Sequence, residues 1–450
     1  LLVALTSVDD LASERVILDP NQLDPSGGIA IDFYVAALDG KRVAISISKG
    51  GSERGDLYIY DAETCQPLSD IITRVQIPTG GGSFAWTEHN EGIYYTRYPR
   101  PGERPAEDLD FYQQIYFHKL GQPESEDTYV IGKDFPKIAE CFMSTTSDGK
   151  YLLLLVKNGD GGEAAQYIRD PYNQWTQVTH FADEAQDAKL GPDDHLYLLS
   201  RHNAPLGKIL RLSLNDPQLA MAETAVREGT LTIPDFLPTR NYLYIHELDG
   251  GPSSLRVLDQ QGRQVANVPI EPVSGISELK HEAEDTILFL GSSYLSPNHW
   301  SRYDSTKNEI QPTALVTTSP VNFNDCEVLR EFATSRDGTR VPINIIRRKS
   351  TKLDGTNPVL LYGYGGYGVS LSPFFWPRLR VWLDLGGVVV IANLRGGGEY
   401  GEAWHKAGNL TNKQNVFDDF IGCAEHLIKT KYTTPQRLCI EGGSNGGLLM

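Results

Sequence analysis

A β-propeller followed by the first part of an α/β domain is the fold class that this sequence of 450 residues predicts. Three observations predict it. Short alternating strands, each behind a polar turn, repeat over roughly the first 320 residues at blade-length spacing. Helical periodicity is almost absent over the same stretch. Beyond it come continuous apolar runs and one amphipathic helix, and they lead to Gly442-x-Ser444-x-Gly446. That last pattern makes the second part an α/β-hydrolase domain, cut just after its nucleophile elbow.

The repeat is read from its turns. Leu38-Asp39-Gly40-Lys41 precedes Arg42-Val43-Ala44-Ile45-Ser46, and His89-Asn90-Glu91-Gly92 precedes Ile93-Tyr94-Tyr95-Thr96. Ser147-Asp148-Gly149-Lys150 precedes Tyr151–Leu155, and Gly191-Pro192-Asp193-Asp194 precedes His195–Leu199. Arg240-Asn241 precedes Tyr242–Ile245, and Glu284-Asp285 precedes Thr286–Leu290. A second kind of strand follows several of these, as in Leu57–Asp61, Ile115–Lys119 and Ser254–Asp259. The unit recurs every ~45–57 residues, which is blade length. A four-stranded blade cannot bury both faces alone, so blades must stack on one another. About six units are countable, and a truncated seventh is expected at the start, giving a seven-bladed propeller over residues 1–320.

Residues 321–450 read as the N-terminal part of the hydrolase domain. Arg336-Asp337-Gly338-Thr339 is a hairpin turn between Phe332-Ala333-Thr334 and Val341–Ile346. Pro358–Tyr362 and Gly387–Ala392 are apolar throughout, as suits strands buried on both faces of a parallel sheet. From Asn415 to Lys429, Val416, Phe417, Phe420, Ile421, Ala424, Leu427 and Ile428 form one helical stripe. Arg437-Leu438-Cys439-Ile440 is the strand before the elbow. A serine on such a strand-to-helix turn has a strained backbone, and its flanking glycines let strand and helix approach.

Composition narrows the function. Forty per cent hydrophobic and 22% charged residues is ordinary globular usage. No apolar run approaches the roughly 20 residues that span a bilayer, so no membrane partner is expected. The net charge of −17 argues against nucleic acid, whose phosphates it would repel. The five cysteines (Cys65, Cys141, Cys326, Cys423, Cys439) are scattered and make no Cys-x-x-Cys pair. That spacing argues against a disulfide framework or a zinc site and fits a reducing, cytoplasmic setting.

A second chemical constellation is Tyr362-Gly363-Tyr364-Gly365-Gly366-Tyr367-Gly368, directly after an apolar strand. Its glycines permit close backbone approach, and its phenols are neutral donors near pH 7. Alone it reads more readily as an aromatic, glycine-rich loop that merely packs. With Asn393-Leu394-Arg395-Gly396-Gly397-Gly398-Glu399-Tyr400-Gly401, Asn412-Lys413-Gln414-Asn415, Phe417-Asp418-Asp419-Phe420 and Gly442-Gly443-Ser444-Asn445-Gly446-Gly447, the chain resembles the prolyl oligopeptidase (prolyl endopeptidase) family. The resemblance is weak in the propeller and strong from about residue 330.

The resemblance implies roles. Ser444 is the nucleophile, and the backbone N–H of Asn445 and the hydroxyl of Tyr364 hold the oxyanion. Tyr367 falls where members usually have an aromatic residue, most often phenylalanine, lining the proline pocket. Asn445 favours the prolyl branch, because relatives cutting after basic residues usually carry alanine there. The triad Asp and His fall in a segment this chain lacks. His405 and His426 precede the elbow and are read as structural. No metal or cofactor is expected.

Other features take plainer readings. Gly396-Gly397-Gly398 has the wrong spacing for a dinucleotide fingerprint. Asp418 and Asp419 point apart on a helix, so they are salt-bridging or solvated rather than a dyad. The expected activity is therefore hydrolysis of short peptides after proline, by a cytoplasmic monomer. The rivals are a propeller-based binding protein with an inert hydrolase-like domain and a related oligopeptidase of other specificity. The chain by itself is expected to be inactive, with no helix behind the elbow and with Val388–Ile391 left as an exposed apolar edge.

Overall fold

The computed structural model describes residues 1–76, 82–159 and 162–450. They pack as two compact units, Leu1–His202 with Ile209–Thr224 and Asn203–Lys208 with Ala225–Met450.

Among the described residues are six four-stranded sheets, each running in sequence order. Their second strands are Arg42–Lys49, Gly92–Arg97, Leu152–Asn158, His195–Ser200, Tyr242–Leu248 and Thr286–Ser293. These cover the six segments that the sequence marks, short only of Tyr151. The second kind of predicted strand is the third of its sheet, in Asp56–Asp61, Gln114–Lys119 and Ser253–Asp259. Where a seventh blade was expected, Leu2–Ala4 pairs antiparallel with Arg15–Leu18 as a two-stranded sheet. Its Leu2, Ile17 and Leu18 pack on Val43, Ile45 and Ile47 of the first full sheet.

Within each unit, neighbouring sheets share a core, as alternation requires of a strand that must cover two faces. In the first unit Leu57 and Ile59 pack with Phe84, Trp86 and Ile93 of the next sheet. In the second, Tyr244, Leu255 and Val257 pack with Ile276, Leu279 and Ile287. The four-stranded sheets are the blades of a β-propeller.

The second unit also holds a five-stranded sheet: β1 (Cys326–Thr334), β2 (Arg340–Arg348), β3 (Val359–Gly363), β4 (Val388–Ala392) and β5 (Leu438–Glu441). Their order is β1-β2-β4-β3-β5. The hairpin β1–β2 and the pair β2–β4 are antiparallel, whereas β3 pairs parallel with both β4 and β5. The helices are α1 (Leu379–Asp384), α2 (Glu402–Lys406), α3 (Gln414–Lys429) and α4 (Asn445–Leu449). Val388, Val390 and Ala392 pack with Val416, Phe420, Cys423 and Leu427 of α3. Val389 and Ile391 face the other way, against Leu379 and Leu383 of α1. The continuous apolar run is thus covered on both faces.

Two expectations are corrected. Val388–Ile391 is no exposed edge: β4 lies between β2 and β3, both supplied by the preceding chain, and its side chains are at most 3% exposed. The edge strands are β1 and β5, and in β5 Ile440 is 49% exposed. A helix does form behind the elbow. Gly446 N–H donates to Gly443 C=O at 2.7 Å, Gly447 N–H to Ser444 C=O at 2.8 Å, and Leu449 anchors α4 in the core.

Candidate active site

Strand pairing creates the site. β3 and β5 are parallel neighbours with Tyr362 opposite Glu441, so the chain leaves both strands at the same end of the sheet. From β3 it enters Tyr364-Gly365-Gly366-Tyr367, and from β5 it enters Gly442-Gly443-Ser444. The two loops that the sequence singles out are thereby neighbours.

Ser444 has φ 52° and ψ −119°, at the N-cap of α4. Positive φ in a residue with a side chain is costly and persists only where the surroundings enforce it. The glycines on either side show the enforcement. A Cβ on Gly442 would run into the carbonyl of Gly446, and one on Gly446 would lie 2.6 Å from the carbonyl of Gly363. Gly443, by contrast, has open space where its side chain would be. Ser444 is exposed, and its hydroxyl makes no cap bond to the helix. The hydroxyl is left available for chemistry. Asn445 is the first residue of α4, where N–H groups have no acceptor within the helix.

The loop after β3 is held from two sides. Asn445 Nδ2 donates to the Tyr364 carbonyl at 2.7 Å. Lys413 Nζ, just before α3, donates to the Gly365 carbonyl at 2.7 Å and to Asn445 Oδ1 at 3.2 Å. Burial pulls the Lys413 pKa below its ordinary value. Gly365 has φ 60° and no room for a side chain beside Val416. Tyr367 also has positive φ, 53°, and its side chain is 64% exposed.

A buried polar network supports the loops. Gly368 N–H donates to Gly396 C=O at 2.9 Å. Leu371 N–H donates to Glu399 Oε1 at 2.9 Å, and Asn393 Nδ2 donates to the same oxygen at 3.1 Å. Glu399 is 1% exposed, and burial pushes its pKa up to about 7. Arg395 binds Asp419 through Nε and Nη2, the latter at 2.6 Å to Oδ1, and its Nη1 reaches Asp337 at 2.5 Å. Asp419 is thus salt-bridged and fully buried, while Asp418 accepts from Gln414. The two carboxylates do part company, as their helical positions require. His426 pairs with Glu331 at 2.8 Å and His405 lies 3.7 Å from Glu402, so each has a local acidic partner.

The sequence reading missed Lys413, the amide of Asn445 and Glu399. Motif membership was the one available signal for the lysine and the glutamate. Among the described residues no cluster of His, Cys, Asp and Glu could hold a metal ion. No helix of the described residues is long and apolar enough to cross a membrane.

A strained, exposed serine at a strand–helix elbow, beside a glycine-rich loop fixed to the residue that follows it, is the arrangement of an α/β-hydrolase elbow. The comparisons give the family. The family model described as "Prolyl oligopeptidase, N-terminal beta-propeller domain" matches residues 3–315, and "Prolyl oligopeptidase family" matches residues 374–450. The chain belongs to the prolyl oligopeptidase family. It is 30% identical to a prolyl endopeptidase of Elizabethkingia meningoseptica over 98% of this chain and 62% of that protein. It is 28% identical to a dual function macrocyclase-peptidase of Galerina marginata over 97% of this chain and 62% of that protein. A solved structure from a study of two prolyl endopeptidases and their inter-domain dynamics aligns with TM-score 0.87 and 31% identity, over 97% of this chain and 64% of that one. The chain therefore spans less than two thirds of the length of these relatives.

Proposed function

We propose that this chain carries the nucleophile and oxyanion site of a serine peptidase that cleaves short peptides on the carboxyl side of proline. The observation that carries the reading is Ser444 at φ 52° in the elbow, with Asn445 tied to the Tyr364 loop. Ser444 Oγ attacks the substrate carbonyl carbon and gives its proton to a base. The negative charge that develops on the carbonyl oxygen meets the Asn445 N–H and the Tyr364 hydroxyl. Collapse expels the amine and leaves an acyl-enzyme, which water hydrolyses. Tyr367 would line the proline pocket, its exposed ring being open to a ligand. The protein would act as a cytoplasmic monomer, with residues 1–320 as propeller and 321–450 as part of the catalytic domain.

In an active protein carrying this chain, Ser444→Ala should abolish turnover of a succinyl-Gly-Pro chromogenic substrate with folding intact. Residual hydrolysis within about tenfold of wild type would end the nucleophile assignment. The relative named as a macrocyclase-peptidase favours one further outcome, capture of the acyl group by the peptide's own amine instead of water. Mass spectrometry separates the two, since the cyclic product is lighter than the linear acid by one water.

A further inference from the structure

Lys413 and the side chain of Asn445 form a clamp whose atoms take no part in the bond-making of the proposed reaction. The Asn445 amide spends both its ends inside the site. Its Nδ2 holds the Tyr364 carbonyl at 2.7 Å, and its Oδ1 receives Lys413 Nζ at 3.2 Å. The same ammonium holds the Gly365 carbonyl at 2.7 Å. Three bonds thus join two carbonyls of the oxyanion loop to the residue whose N–H faces the same oxyanion. These partners are far apart in sequence, by 81, 32 and 48 residues, so no local turn supplies the connection.

We propose that Lys413 is a positioning residue for the peptidase reaction, fixing through the Asn445 amide the separation between the Tyr364 donor and the Asn445 N–H donor. The inference rests on the reading of Ser444 as nucleophile. Its chemistry follows from geometry. An oxyanion hole works because its donors need not reorganise when charge appears. Two donors on two loops keep their spacing only if the loops are joined. Lysine suits the joint, because an ammonium has three donors and no acceptor and can serve two carbonyl-type oxygens at once. The clamp also explains why an asparagine follows the serine. Alanine would supply the same backbone N–H and none of the bonds to Tyr364 and Lys413. Gly366 is part of the same joint, since a Cβ there would collide with the Asn445 amide.

The test compares Lys413→Met, Lys413→Arg, Gly366→Ala and Ser444→Ala in an active protein carrying this chain, with Asn445→Ala as a second background. Lys413→Met should lower kcat about tenfold to a hundredfold, the cost of displacing a reacting group by a fraction of an ångström to an ångström, with KM changed less than about twofold. Lys413→Arg should restore most of the loss. In the Asn445→Ala background Lys413→Met should cost much less than it does alone, because the joint is already broken. Gly366→Ala displaces the amide without touching the lysine and should reproduce the kcat loss, which keeps the test open if Lys413→Met fails to fold. If Ser444→Ala is dead while Lys413→Met and Gly366→Ala keep wild-type kcat, or if the losses simply add, the clamp is wrong and the nucleophile stands. If Ser444→Ala stays active, both fall.

Discussion

Tyr364 is the residue at which binding and catalysis can be told apart. Its hydroxyl is proposed to meet a charge that exists only in the transition state, so Tyr364→Phe should lower kcat more than it raises KM. One such donor is worth about 2.7–4 kcal/mol. Steady-state kinetics on a proline substrate decide it: unchanged kcat with a weaker KM would make Tyr364 a substrate contact only. At this scale the sequence showed the residues whose constraint is local. Gly442, Ser444 and Gly446 lie together at the elbow, and the collision of a Gly442 Cβ with the Gly446 carbonyl is a constraint inside the motif itself. Lys413, the Asn445 amide and Glu399 escaped because their partners come from distant segments. Nothing in Asn412-Lys413-Gln414-Asn415 tells which carbonyl the ammonium will meet.

Among the elements, the blades show why strands differ in legibility. Second strands are buried at nearly every position, so their apolar content is dense, and third strands mix buried with half-buried residues. Outer strands such as Gln264–Asn267 are mostly exposed and look like loops in sequence. Several first strands carry register shifts, as between Ile31 and Phe33 or Thr232 and Asp235, which break the two-residue period. One blade contact also makes a pH prediction. His118, in Gln114–Lys119, is fully buried between Asp127 at 2.6 Å and Asp70 at 3.1 Å. Burial opposes its charge, but the two carboxylates prevail and raise its pKa above the usual value. A raised histidine pKa stabilises fully below the unfolded value of about 6.5, and the contribution is lost as pH rises through the folded value. His118→Gln should therefore cost about 2 kcal/mol near pH 6, and progressively less as pH rises through the folded value. Denaturant unfolding followed by the fluorescence of buried Trp86 measures it. A penalty that grows with pH would mean that His118 is held neutral.

For the whole molecule, charge is the property that no single contact expresses. The chain has 58 Asp and Glu against 41 Lys and Arg, for a net charge of −17. Surface ion pairs such as Arg302 with Glu282 cancel locally, but the excess does not, and a summed field of this sign attracts cations before any contact forms. The field acts on encounter and is screened within about 10 Å at 0.1 M salt. A proline peptide carrying lysines should therefore show a kcat/KM that falls as salt rises. A matched peptide carrying glutamates should show one that rises, and the two should converge near 1 M, where the screening length is about 3 Å. The effect should sit in kcat/KM and leave kcat alone, because chemistry after binding does not depend on how the substrate arrived. Stopped assays of both peptides across a sodium chloride series test this. A preference for the lysine peptide that persists unchanged at 1 M would place it in a specific carboxylate contact at the site, and equal rates at low salt would mean that the excess charge lies too far from the mouth of the site to steer.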